Sequence, residues 1–238
     1  GNYTLGSQAI VMMGGESGLG IACSDKNSAS DNNNGPYSIE LRVEDQTIYS
    51  AVWDRISFDN SRGMNSHIDY PAMIATGRRI QKSFLEPGNP LKIYKDVLNN
   101  GFLNFTDQNI RNAQYIVKDI AGNQSVLSFK IKFSPGAAKS SKAIEGKKLK
   151  FDQVNNFDTT GLKLNLPLNT LFSDLNFVYK TTARPTGAYS SIHHIHNRLI
   201  PINGAINLAI KADDDLPAEL QSKALIVNLL KKSQGGIF

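Results

Sequence analysis

Along most of the chain, apolar and polar residues alternate with a period of two, and β-branched and aromatic residues fill the apolar positions between Gly, Asn, Asp and Pro. That period places successive side chains on opposite faces and predicts half-buried strands. Tyr37 to Val43 alternates cleanly; Glu44-Asp45-Gln46 then reads as a turn before Thr47 to Ser50, which makes a hairpin. Gln114 to Lys118, the turn Asp119 to Asn123 and Ser125 to Phe133 predict a second hairpin, with Gly122-Asn123 as residues that tolerate positive φ. Later, Leu162–Leu166, Asn176–Thr181, Ile206–Lys211 and Ala224–Leu230 read as short strands separated by Pro, Gly and Asn. One segment breaks the pattern: 66–80 predicts a helix, capped by Asn65 or Ser66, with Arg78-Arg79 at the negative end of its dipole and Pro71 and Gly77 shortening it. A briefer helical turn is predicted over Pro217 to Gln221.

Many short strands with turn signals between them predict an all-β fold of two Ig-like antiparallel β-sandwich domains, the first with a short helical insertion near 66–80. Ser134 to Lys142 is small and polar with Pro and Gly, as linkers are. The expected organisation is therefore a sandwich over 1–134, a basic linker over 135–146 and a second sandwich over 147–238. Sandwich edge strands can pair with other chains, so the pattern sets no oligomeric state.

At 238 residues, 40% hydrophobic and 20% charged, the chain can build sizeable cores, which excludes disordered and fibrous classes. A single cysteine, Cys23, excludes disulfide scaffolds and cysteine-rich zinc modules. The net charge of +5 raises the question of nucleic acid, and its location answers it. Residues 1–133 carry 13 basic and 13 acidic residues, residues 134–238 carry 13 and 8, and most of the excess comes from Lys139, Lys142, Lys147, Lys148 and Lys150. A basic linker explains this better than the basic, aromatic-bearing face of a nucleic-acid module. No apolar run approaches the roughly 18 to 20 residues of a membrane helix.

Of the chemistry-bearing residues, Ser191-Ile-His-His-Ile-His196 stands out. On a strand His194 and His196 share a face, as two zinc ligands require, with His193 on the opposite face; His67 and Asp69 are the further ligands on offer. A zinc hydrolase also needs a third converging ligand, an open water position and a general base, and nothing in the sequence brings His67 or Asp69 to His194. Gly14 to Gly20 has glycine spacing suited to phosphate, but a strand and loop follow it in place of the helix N-terminus a phosphate cradle uses. Cys23 reads as a buried or half-buried strand residue, Asp213-Asp214-Asp215 as a solvated turn, and Tyr49 and Trp53 as hairpin aromatics that either pack across strands or form a glycan platform.

The blocks Gly35 to Leu41, Asp54 to Phe58, Arg62 to Tyr70, Gly77 to Lys82 and Tyr115 to Ser125, with Tyr189 to Asn197 and Lys223 to Val227, resemble the accessory region that follows the catalytic domain in bacterial zinc metallopeptidases of the lysostaphin/LytM type, the Gly-Gly endopeptidases. The resemblance spans nearly the whole chain. It implies Ig-like modules of an exported cell-wall enzyme, in the cell envelope, periplasmic or secreted, whose partners are the envelope or their own peptidase domain. It implies no nucleic acid, no transmembrane segment, and zinc only in a catalytic domain outside this chain. That family's active site pairs His-x-x-x-Asp with a later His-x-His; His67-Ile68-Asp69 has a different spacing and His194-Ile195-His196 lacks the Gly-Pro lead, so no catalytic, cofactor or metal residue is carried over. The alternative expectations are a zinc-dependent peptidase acting through His194 and His196, and a stand-alone glycan-binding envelope protein using Trp53.

Overall fold

A computed structural model describes residues 2–3, 10–26, 33–137 and 145–229. The protein is all-β, and among the described residues its strands are accompanied only by short helices. The chain divides into two compact units, Gly1–Ala143 with Leu199–Asn203, and Ile144–Arg198 with Gly204–Phe238. Of the expected linker, Pro135–Ala137 forms one 3-10 turn, whereas 138–144, with Lys139 and Lys142, lie outside the described residues. No helix among the described residues is long and apolar enough to cross a membrane.

The first unit is built on a seven-stranded sheet. Its main strands are β1 (Ile10–Met13), β2 (Ser38–Val43), β3 (Gln46–Val52), β4 (Tyr94–Val97), β5 (Ile110–Lys118) and β6 (Gln124–Phe133). Strands β6, β5, β2, β3 and β4 lie side by side and antiparallel, and β6 also pairs with β1 and with the short strand Asn2–Tyr3. Both predicted hairpins form. In β2–β3, Val43 pairs with Gln46, so Glu44-Asp45 is a two-residue turn with Glu44 at φ +53. In β5–β6 only Gly122 takes positive φ, at +88; Asn123 instead donates its backbone and side-chain N–H groups to the Asp119 carboxylate. The pairings of β6 with β1 and with Asn2–Tyr3 are parallel, a departure from a wholly antiparallel sheet. Alternation marks a strand but carries no information about the direction of its neighbour.

The expected helix over 66–80 is instead two short ones after a 3-10 segment, α1 (Met64–His67) and α2 (Tyr70–Thr76). Ile68 is extended and bridges to Gln81, which interrupts the helical run. The cap is Asp69, whose Oδ1 accepts from the Ala72 N–H at 3.0 Å, in place of Asn65 or Ser66. Pro71 starts α2, in the turn where a missing N–H costs nothing. Gly77, at φ +73, ends it, leaving Arg78-Arg79 beyond the last turn. Replacing Asp69 with Ala is expected to cost about 1 kcal/mol, read as a lower urea midpoint with an unchanged slope.

Met64 of α1 and the segment leading to β4 pack against the core of the sheet, which includes Ile39, Leu41, Val43, Tyr49, Ala51, Ala113, Tyr115 and Ile131, and the segment contributes Leu91 and Ile93 to it. These sheet residues follow the period-two pattern that marks the strands in the sequence.

The second unit holds β7 (Lys147–Leu149), β8 (Asn155–Asp158), β9 (Leu162–Leu166), β10 (Leu175–Phe177), β11 (Tyr179–Thr182), β12 (Ile192–Ile195) and β13 (Asn207–Ile210). They form three antiparallel sheets: β8-β9-β13, β7-β10 and β11-β12. Leu162, Leu164 and Leu166 of β9 are buried with Leu149, Leu171, Phe172 and Phe177, while an amide ladder runs over the opposite face from Asn207 to Asn165 to Asn156. The expected strand over Asn176–Thr181 is broken at Val178, where the chain changes partner from β7 to β12. Ile206–Lys211 shortens to β13, and the turn after Pro217 forms as the 3-10 segment Ala218–Lys223. Residues 224–229 of the expected strand Ala224–Leu230 form no continuous strand, and Leu230 lies outside the described residues. Leu225, Val227 and Leu229 are 56%, 62% and 64% exposed, so the alternation there has no covered face on which to act.

Candidate functional site

In the first unit, His67 closes α1 and is buried beneath the edge of Trp53, with the ring centroids 5.2 Å apart. Its Nε2 is 3.2 Å from Gln81 Oε1 and its Nδ1 3.4 Å from the Tyr94 hydroxyl. The Gln81 carbonyl oxygen can only accept, so Nε2 carries the proton and Nδ1 accepts from Tyr94. Tyr94 accepts in turn from Asn89 Nδ2 at 3.0 Å, and Gln81 Nε2 donates to Cys23 Sγ at 3.7 Å. Burial pushes the imidazole pKa down to about 4; the nearby Lys82 acts in the same direction and the Gln81 hydrogen bond opposes both. His67 is thus a neutral, doubly hydrogen-bonded core group. Asp69 points elsewhere and caps α2.

The other three histidines are on or next to β12. In the β11–β12 ribbon Lys180 stands opposite His194 and Tyr179 opposite Ile195, so Val178, Lys180 and Thr182 share a face with His194 and His196 while His193 turns to the other. Sequence alternation predicts this separation, and the register bears it out. His193 stacks on Tyr179, whose hydroxyl is 2.7 Å from His193 Nδ1. His194 Nε2 is 3.2 Å from the Thr182 hydroxyl. His196 sits at φ +50, just past the end of β12, where the chain leaves strand geometry. Its backbone N–H donates to the Val178 carbonyl at 2.8 Å, and its ring takes the return bond, Val178 N–H donating to Nδ1 at 3.2 Å. An accepting Nδ1 leaves the proton of the neutral ring on Nε2, which is engaged by the Asn197 side-chain amide at 3.2 Å. Burial lowers the pKa values of both His193 and His196.

Val178, Lys180, Thr182, His194, His196 and Asn197 line an open groove of about 510 Å³. Among the described residues no three His, Cys, Asp or Glu side chains gather as a metal site would need. His194 and His196 come together on one face; His67 and Asp69 belong to the other unit.

The remaining sequence candidates have structural work. In the glycine-rich stretch, Ser17–Gly18 pairs with Phe102–Leu103 and Gly20–Ile21 with Gln81–Lys82, so short strands follow the glycines. A side chain on Gly18 would run into the Phe84 ring. Cys23 is half-buried outside any strand, its thiol pushed up to about 11 by burial. Tyr49 is fully buried and Trp53 half-buried against His67, which leaves neither as an open, flat platform. Asp213 and Asp215 both bind the Arg184 guanidinium, at 2.9 and 2.7 Å, while Asp214 is 98% exposed. Sequence reasoning missed Lys180 and Thr182, because what brings them to His194 is strand register across the loop between β11 and β12.

Among protein families, the Zu5-like domain matches residues 146–238. No curated protein and no solved structure matches the chain.

Proposed function

We propose that the chain comprises non-catalytic modules of an exported bacterial cell-wall metallopeptidase, which hold the enzyme against the envelope. The reading rests on the resemblance of the chain to the accessory region of lysostaphin/LytM-type proteins. The observation that supports it best is the employment of the histidines: both ring nitrogens of His67 are engaged within the core, and His196 Nδ1 is engaged by the Val178 N–H. That bond argues against the zinc peptidase alternative, since a ring whose Nδ1 accepts from the backbone and whose Nε2 lies 3.2 Å from the Asn197 amide has both nitrogens engaged within the protein. The half-burial of Trp53 speaks likewise against a glycan platform built on it.

Co-sedimentation of the purified chain with isolated peptidoglycan sacculi tests the reading, with released fragments measured in the same tube. Saturable binding without cleavage is the expected result. Chelator-sensitive cleavage lost in a His194→Ala/His196→Ala variant would establish the zinc peptidase instead, and a chain left wholly in the supernatant would remove the envelope-binding role.

A further inference from the structure

The polar groups around the groove on the β11–β12 ribbon share one property, that all of them can donate. Lys180 offers an ammonium, Thr182 a hydroxyl and His194 a ring N–H group, while the Asn197 amide and His196 Nε2 lie 3.2 Å apart, and among the described residues no carboxylate lines the groove. Lys180 is exposed and makes no ion pair among the described residues, whereas Lys150 and Arg184 of the same unit are held by Asp174, Asp213 and Asp215. The Val178 N–H and the Asn197 amide engage the two ring nitrogens of His196, at 3.2 Å each, and burial disfavours its charged form, so Lys180 and His196 do not repel each other. Cross-strand register sets Lys180 directly opposite His194 and places Thr182 within 3.2 Å of the His194 ring. A concave surface with one unneutralised ammonium, further donors and no carboxylate is complementary to an oxyanion, and it repels a metal cation.

We propose that the face formed by Lys180, Thr182, His194 and His196 binds an oxyanion, the carboxylate or phosphate group of a larger ligand. Lys180 supplies the charge, the Thr182 hydroxyl and the His194 ring direct the oxygens, and His196 walls the groove. The site stands on the geometry of the ribbon alone, independently of the accessory role proposed for the whole chain.

The test follows the imidazole proton resonances of the full chain at pH 7 during separate titrations with inorganic phosphate and acetate, with ionic strength held constant by sodium chloride. His194→Ala and His196→Ala variants assign the signals. Saturable shifts of His194 and His196 are expected, with His193, on the opposite face, unmoved. Lys180→Ala should weaken the apparent affinity about tenfold, as expected for loss of a charge-assisted contact; circular dichroism checks that the variant is folded. A response to phosphate alone identifies a phosphate group, and a response to acetate alone a carboxylate. Shifts that never saturate, or that persist unchanged in Lys180→Ala, overturn the proposal. So does stoichiometric Zn²⁺ binding lost in the His194→Ala/His196→Ala variant, which would make the face a metal site.

Discussion

The first unit is expected to lose about 3 kcal/mol of stability as the pH falls from 6.5 towards 4, through His67 alone. In the unfolded chain an imidazole takes up its proton near 6.5, whereas burial holds the native ring down to about 4. Between those values the unfolded state binds a proton that the native state does not, so acid favours unfolding. Above the unfolded value both states are neutral and the full stability is present. A protonated Nδ1 would also face the Tyr94 hydroxyl with a donor where it now accepts, and would disturb the run of hydrogen bonds from Asn89 to Cys23. Urea denaturation from pH 7.5 to pH 4, followed by Trp53 fluorescence, measures the effect. In His67→Gln that portion of the pH dependence should vanish, leaving the shallower contribution of carboxylates such as Glu40, whose pKa is held low by its bonds to Arg42 and Thr47 despite partial burial. Identical pH profiles for the two proteins would show that His67 is not the group being titrated.

The second large effect belongs to Gly101. It takes φ +82, directly after Asn99 and Asn100, which are themselves at +48 and +52. A methyl group on Gly101 would lie 2.6 Å from Phe84 Cα and closer still to the Ser83 carbonyl oxygen, so backbone must move to admit it. Ser83 is itself buried and bonded to the Tyr115 hydroxyl at 2.9 Å, on the core face of β5. Gly101→Ala therefore combines left-handed strain with overpacking, at a cost of about 4 kcal/mol. Gly77 provides the control. It has a similar φ of +73 but open space around its Cβ position, so Gly77→Ala should cost only about 1 to 2 kcal/mol, from strain alone. Equal losses in the two variants would mean that the Gly101 backbone does not approach Ser83 and Phe84 as closely as described.

Local chemistry made much of this fold legible. The two hairpins of the first unit could be read because alternation and turn residues are short-range properties: the Val43–Gln46 turn is specified within a few residues of itself. The same holds for the separation of His194 and His196 from His193, which follows from the pleat of one strand. The helical segment departs from the sequence pattern where a long-range contact intervenes. Ile68 leaves the helical run to bridge Gln81, and that frees Asp69 to cap α2. At Ala224–Leu230 the sequence has strand periodicity, yet no strand runs through 224–229, because alternation needs a sheet face to cover its apolar side.

By itself, then, the sequence determined the all-β class, the two hairpins of the first unit, the strands β9 and β13 and which of their faces are apolar, since these depend on residue type at a spacing of two. Only the tertiary structure decided which side chains meet. The burial of His67 against Trp53, the approach of Gly101 to Ser83 and the placing of Lys180 opposite His194 each join residues separated by 12 or more positions. Such meetings depend on the register and order of strands, which the periodicity within any one strand does not encode.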